Sequence, residues 1–250
     1  MALQEEFEKQ GFWLFRYRGV LPVIILIVGA LLFLQKELHP ETSFIKNSSF
    51  ENYFEYFCLG LSLFGLLIRI LVIGFVPKNT SGRTTDKQVA DTVNTTGMYS
   101  IVRHPLYLGN YFMWLGPAVL TGNFWFVIVF TLLYYLYYER IMFSEEQFLR
   151  NKFGEVYINW SNQTPAFIPS FKNYVKPNLT FSWKKVVRKE INGLFLLILI
   201  FFTFDYLGFL INSKNTPSNV LLLSLIFLGI ALVVIKIIKK YTDLLKQDNR

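Results

Sequence analysis

Hydrophobic residues in this chain come in blocks rather than in the i, i+3, i+4 spacing of a soluble amphipathic helix. Blocks lie near 19–34, 53–76, 107–138, 193–211 and 219–238. A run of about 20 apolar residues is long enough to cross a bilayer as a helix. The block 107–138 is too long for one ordinary span and short for two. Its middle reads Gly116-Pro117 and then Thr121-Gly122-Asn123, and Gly with Asn marks a tight turn. A helical hairpin at 107–138 is therefore predicted, giving about six transmembrane helices and an all-α, multi-pass membrane protein. The first block follows an acidic, mixed segment, Gln4-Glu5-Glu6-Phe7-Glu8-Lys9, with no small-residue cleavage site, so it reads as a span and not as a cleaved signal.

Charge supports the hairpin. Lys and Arg concentrate on the cytoplasmic side of membrane proteins. With a cytoplasmic N-terminus and six spans, 21 of the 25 Lys and Arg fall inside and 3 outside, and Arg69 lies within a span. Treating 107–138 as one span reverses the bias to 8 inside against 16 outside. Both termini and both long polar segments are thus expected in the cytoplasm. The formal net charge of +8 is mostly this bias together with attraction to anionic lipid, and it gives little support to nucleic-acid binding.

Composition agrees with the pattern: 53% of the 250 residues are hydrophobic and 18% aromatic, with a mean hydropathy of +0.37. The single cysteine, Cys58, and two histidines, His39 and His104, exclude an internal disulfide and an all-histidine metal site.

Three polar segments carry candidate chemistry. In 94–109, His104-Pro105 predicts a helix start, since proline favours the first helical position and holds its predecessor extended. A helix N-terminus favours an anion, and Arg103 and His104 add a permanent and a titratable cation. Tyr107 offers a ring and a hydroxyl, and Gly109 allows a close approach to backbone. The rival reading is an interfacial belt of Arg and Tyr. In 139–157 a helix is predicted to leave the membrane and stop at Gly154. It carries Glu139, Glu145 and Glu146 as candidate carboxylates, with an i,i+4 pair between Glu146 and Arg150 as the alternative. Thr164-Pro165-Ala166-Phe167-Ile168-Pro169 reads as a rigid extended return to the membrane. Arg69, inside a span, is read either as a clamp for an anionic head group or as half of an ion pair with a residue such as Glu55.

Taken together, Gly97-x-Tyr99-x-x-x-Arg103-His104-Pro105-x-Tyr107-x-Gly109, then Glu145-Glu146-x-x-Leu149-x-x-x-Phe153-Gly154-x-x-Tyr157, then Thr164-Pro165 with Phe167-Ile168-Pro169 resemble the isoprenylcysteine carboxyl methyltransferases and related phospholipid methyltransferases over roughly 53–170. A branch acting on lipid phosphates of the lipid A type is similar in Ser81–Gly109. The resemblance implies S-adenosylmethionine (SAM) as cofactor and a lipid acceptor entering from the bilayer. It implies cofactor contacts at Tyr99, His104, Tyr107, Gly109 and Glu146, and catalytic roles for Arg103, His104 and Glu145; Arg69, on the clamp reading, joins the catalytic candidates. An anionic oxygen, lipid phosphate or carboxylate, is the expected acceptor. A sterol-reductase-like NADPH enzyme and a non-catalytic scaffold are the alternatives; no GxGxxG is present. The expected organisation is a core at 1–170, a basic cytoplasmic linker at 171–190 lying on the membrane surface, and a further two-helix hairpin with a basic tail at 191–250.

Overall fold

A computed structural model describes residues 2–42, 50–78, 80, 88–212 and 216–245. Among these residues the regular structure is entirely helical. The helices are α1 (Leu3–Arg16), α2 (Val20–Leu38), α3 (Glu51–Phe75), α4 (Pro105–Leu120), α5 (Phe124–Phe153), α6 (Glu155–Ser161), α7 (Trp183–Asn212) and α8 (Asn219–Tyr241), with short 3-10 turns between some of them. Each predicted apolar block becomes a helix. Four helical stretches, Tyr53–Phe75, Phe124–Phe153, Trp183–Asn212 and Asn219–Tyr241, are long and apolar enough to cross a membrane. At 16 residues, α4 is shorter than an ordinary span. Part of Ser81–Gly109, namely 81–87, lies outside the described residues.

The predicted hairpin turn is present. Gly122 takes φ +70° and donates its N–H to Val119 O, 2.9 Å away. Asn123 caps α5 by accepting the Phe126 N–H at 2.9 Å. The positive φ suits Gly because it has no Cβ to clash. At the other end of α5, Gly154 has φ +52° and donates to Arg150 O, ending the helix where the sequence placed its stop.

α3 and α4 form the tightest seam. On α3, Cys58, Ser62, Gly65 and Arg69 fall on one face by their 4-3-4 spacing. On α4, Gly109 and Gly116 face them. A Cβ added at Gly65 would lie 2.4 Å from Gly109 O, and one at Gly116 would lie 2.4 Å from Cys58 O. Ser62 Oγ donates to Met113 O at 2.9 Å. Small residues let backbones approach closely where lipid gives no hydrophobic drive to pair helices.

α7 runs unbroken from Trp183 to Asn212, across the 190/191 position expected to separate linker from hairpin. Within its basic start Lys184 is exposed, but Lys185 turns inward. Lys185 is 3% exposed and its Nζ donates to Val76 O at 2.6 Å and Pro77 O at 3.1 Å. The carbonyls that end α3 have no helical partner of their own, and they draw this amine inward. At the opposite end of the bundle, α2, α4 and α7 converge: Lys36 Nζ donates to Leu120 O at 3.2 Å, and Asn212 Nδ2 donates to Glu37 Oε2. α8 has no buried residue and packs on α7.

Candidate active site

The site forms where three chain segments meet. His104 precedes α4, with Pro105 as its first residue. The return segment fixes the backbone here: Arg103 N–H donates to Pro165 O at 2.8 Å, His104 N–H to Ala166 O at 3.3 Å, and Ser170 N–H to Ile101 O at 2.9 Å. Pro165 and Pro169 stiffen the strap that supplies these acceptors. Gly97, with φ +61°, starts the 3-10 turn that carries Tyr99 and donates to Val175 O.

The extension of α5 supplies the carboxylates. Glu146 bridges Arg103 and His104, with Oε2 2.9 Å from Arg103 Nη1 and Oε1 2.9 Å from His104 Nε2. Glu145 Oε1 accepts the Tyr107 hydroxyl at 2.7 Å, and its Oε2 lies 3.7 Å from His104 Nδ1. Each ring nitrogen of His104 thus faces a carboxylate. The bland pairing of Glu146 with Arg150 is not the one formed. Glu139 pairs with its neighbour Arg140 at 3.1 Å and is not part of the cluster. Behind it, the Tyr138 ring stacks on Tyr134 at 4.2 Å and meets Tyr107 at a tilt of 48° and 4.8 Å, and Tyr134 donates to Tyr107 O at 2.8 Å.

Tyr99 and Tyr157 sit beside the same charges. Burial pushes the Tyr99 phenol well above its ordinary range, and Glu145 pushes it further. Burial, then Glu146, does the same to Tyr157. Both therefore stay protonated and able to donate. Tyr157 is 1% exposed. Its hydroxyl and Arg103 Nε are the buried side-chain polar atoms without a hydrogen-bond partner among the described residues. A buried polar atom left unpaired costs about 1–3 kcal/mol, so two neighbouring ones mark a place where a ligand would supply acceptors.

These groups open onto a cavity of about 970 Å³. Tyr99, Arg103, His104, Tyr107, Glu145, Tyr157, Arg69 and Asn110 line its polar part, and apolar residues of α2, α4 and α7 line the rest. Two residues expected to contact the cofactor, Gly109 and Glu146, do not line this cavity. Gly109 faces α3, where an added Cβ would lie 2.7 Å from Arg69 Cγ and 2.8 Å from Gly65 O; its missing side chain serves helix packing. Glu146 does not line the cavity but positions Arg103 and His104, which do. Arg69 is not an uncompensated clamp. Its Nε and Nη2 donate to Glu190 Oε2 and Oε1, each at 2.8 Å, and Nη1 donates to Asn110 at 2.6 Å. The ion-pair alternative holds, with Glu190 as partner in place of Glu55.

Sequence reasoning missed Glu190, Asn110 and Tyr157. Glu190 had a partial signal: an arginine inside a span needs a partner, and Glu190 borders the apolar run 193–211, although Glu55 and Glu139 compete for the same reading. Trp160 was missed as well; its Nε1 donates to Tyr99 O at 3.2 Å. Among the described residues no group of three or more His, Cys, Asp or Glu could hold a metal ion.

Comparisons with known proteins converge on the same region. Residues 54–156 match the family model for phospholipid methyltransferase. The chain is 31% identical over 129 residues to a protein-S-isoprenylcysteine O-methyltransferase of Schizosaccharomyces pombe, covering 51% of this chain and 54% of that protein. It is 34% identical over 84 residues to the cobalt-zinc-cadmium resistance protein CzcN of Cupriavidus metallidurans, covering 34% and 38%. A protein-S-isoprenylcysteine O-methyltransferase of Xenopus laevis is 31% identical over 87 residues, covering 35% and 30%. The chain thus spans about half the length, or less, of these curated relatives. No solved structure matches it at a significant level.

Proposed function

We propose that this chain, whose residues 54–156 match the phospholipid methyltransferase family model and which is similar to isoprenylcysteine O-methyltransferases, transfers a methyl group from SAM to a lipid acceptor held in the membrane. The observation that carries the reading is the cluster of Arg103, His104, Tyr107 and Glu145, which opens onto a cavity that is polar at one end and apolar at the other. A water-soluble cofactor and a lipid acceptor need a site of that kind.

The residues present fit SAM. The unpartnered Tyr157 hydroxyl and Arg103 Nε suit a carboxylate. The aromatic faces of Tyr107 and Tyr138 and the carboxylate of Glu145, all lining the cavity, suit a cation. When bound, SAM supplies an activated methyl that passes to the acceptor oxygen as the carbon–sulfur bond breaks and sulfur keeps the electron pair.

The chain's contribution is then proximity, orientation and water exclusion, which together account for about 7–11 kcal/mol of barrier in well-oriented reactions. An anionic acceptor oxygen carries its own electron pair and needs no general base. Arg69 and Arg103 line the cavity while Glu190 and Glu146 hold them in place, and guanidinium groups fixed at the polar end suit a phosphate or carboxylate as the acceptor. Glu146 fixes the angle of Arg103 and His104, and Glu145 fixes the Tyr107 hydroxyl. The charge bias of the loops supports a cytoplasmic position for this end of the bundle.

Isothermal titration of the purified, micelle-bound protein with SAM and with NADPH tests the reading. SAM binding together with transfer of radiolabelled methyl into a lipid extract supports it. Binding of NADPH and not SAM would sink it.

A further inference from the structure

The strap that fixes the backbone of Arg103 and His104 also carries large apolar side chains that the protein leaves uncovered. Ile168 is 79% exposed, Phe171 74% and Tyr174 58%. Its backbone, in contrast, is firmly held. Pro165 O and Ala166 O accept from Arg103 and His104, and Ser170 donates to Ile101 O. Val175 exchanges bonds with the turn at 97–100: its O accepts the Gly97 N–H at 2.8 Å, and its own N–H donates to Ser100 Oγ at 3.0 Å. The strap and residues 97–104 are therefore one hydrogen-bonded unit.

Phe167 sets the level at which this unit sits. Its ring centroid lies 6.3 Å from that of Tyr111 on α4 and 6.2 Å from that of Tyr135 on α5. Tyr111 is about 9 Å past the start of α4 at 1.5 Å per residue, and Tyr135 belongs to the Phe124–Phe153 stretch able to cross a membrane. Tyr135 and Leu132, one turn apart, are both exposed, so this flank of α5 faces hydrocarbon, and Ile168 directly follows Phe167 there. Lipid tolerates irregular backbone only where its polar groups are satisfied. Pro165 and Pro169 have no N–H to bury, and the bonds to 101–104 satisfy Pro165 O, Ala166 O and the Ser170 N–H. Past Phe171 the segment turns basic: Lys172 and Lys176 are exposed on either side of Tyr174, a mixture of cation and aromatic that suits a layer of lipid head groups.

We propose that the strap from Phe167 to Lys176 is a membrane-inserted loop whose partner is the anionic head-group layer of the leaflet beside the active site. Ile168 and Phe171 enter the boundary of the hydrocarbon, and Lys172 and Lys176 lie against lipid phosphates. Lipid that holds the strap in place also holds the turn carrying Arg103 and His104 at the polar end of the cavity. Insertion needs only a membrane around α4 and α5; its effect on cofactor binding rests on the methyltransferase reading.

The test uses the full chain in vesicles of phosphatidylethanolamine and phosphatidylglycerol. A nitroxide is attached to one introduced cysteine at a time: Ile168→Cys, Phe171→Cys or, as the reference, the exposed Asn162→Cys. Cys58 is buried and stays in place. Relaxation by oxygen, which concentrates in hydrocarbon, is compared with relaxation by a water-soluble nickel chelate. The oxygen-to-nickel ratio at Ile168 and Phe171 is expected to be about fivefold or more above that at Asn162, as for side chains sunk into the interface. Equal ratios at the three sites would overturn the proposal. Omitting phosphatidylglycerol should lower the Phe171 ratio, and should not do so once Lys172→Gln and Lys176→Gln are added; a ratio indifferent to phosphatidylglycerol in both proteins would overturn the part given to the lysines. For the link to the site, Ile168→Asp should weaken SAM binding about tenfold or more, because a carboxylate is expelled from hydrocarbon, and Ile168→Leu should not. Normal SAM affinity in Ile168→Asp, or an equal loss in Ile168→Leu, would overturn the link. If the unaltered protein binds no SAM, the methyltransferase reading fails and the relaxation ratios still decide insertion.

Discussion

Replacing Glu190 by Leu should unlock α7 from α3 and α4. Glu190 accepts two hydrogen bonds from Arg69, at 2.8 Å each, and the two side chains are only 14% and 4% exposed. The variant leaves the guanidinium in a low-dielectric site with its hydrogen bond to Asn110. Removing one member of a buried pair typically costs about 3–5 kcal/mol, because the other charge loses its compensation. For a chain of this size each kcal/mol moves Tm by about 2–4 °C, so a drop of about 6–20 °C is expected. The assay is thermal unfolding in micelles, followed by intrinsic fluorescence at one fixed scan rate because membrane proteins rarely refold. Arg69→Leu alone should cost less, since it leaves a carboxylate close to Lys189 and the polar end of the cavity. The double variant Arg69→Leu, Glu190→Leu should recover most of the loss, because replacing both partners of a buried pair by apolar residues is often neutral. A Glu190→Leu Tm within about 3 °C of the parent would refute the pair's structural role. Additive losses in the double variant would refute the coupling.

Gly65→Ala should destabilise by about 1–3 kcal/mol or more, the usual range for overpacking, because its Cβ would meet backbone atoms Gly109 O and Met113 N at 2.4 and 2.5 Å; a normal Tm would count against the seam. Glu146→Gln keeps the shape but removes the charge shared by Arg103 and His104, so SAM affinity should fall about tenfold or more, the equivalent of losing about 1.4 kcal/mol. An unchanged Kd would remove Glu146 from the positioning role. Tyr157→Phe deletes a hydroxyl that lies beside Arg103 and Glu146 without a well-aligned hydrogen bond to either, so it should change Tm little and weaken SAM binding; the opposite pattern would make Tyr157 a packing residue only.

How much of this was legible in the sequence follows from the range over which each signal acts. The turn at Gly122, the stop at Gly154 and the helix start at Pro105 are local, set by backbone freedom within one or two residues, and the sequence places all three. The partnership of the 94–109 segment with Glu145 and Glu146 came from the order and spacing of motifs. The exchange of Arg150 for Arg103 as the partner of Glu146 did not, because an i,i+4 neighbour is always available on a helix while a partner 43 residues away depends on tertiary packing. Gly109 shows the ambiguity of glycine: the same missing Cβ admits a ligand or another helix, and only the position of α3 decides. Lys185 was read as a surface cation because basic residues before a span ordinarily lie at the interface; the carbonyls of Val76 and Pro77 draw it inward.

The pairing of charges also explains why the site can exist at the edge of a membrane. Arg103 is compensated by Glu146, His104 by both carboxylates, and Arg69 by Glu190. In every pair the partners come from different segments: the approach to α4 against α5, or α3 against α7. An unpaired charge at this depth would cost several kcal/mol, so no segment can carry its half stably until the other is in place. The cluster is therefore a product of helix assembly and not of any one helix. It follows that α7, outside the family-matched residues, is a condition for burying Arg69 beside the cavity. A chain ending before Trp183 would leave that guanidinium and the carbonyls of Val76 and Pro77 without their present partners, and should lose its fold along with its SAM binding.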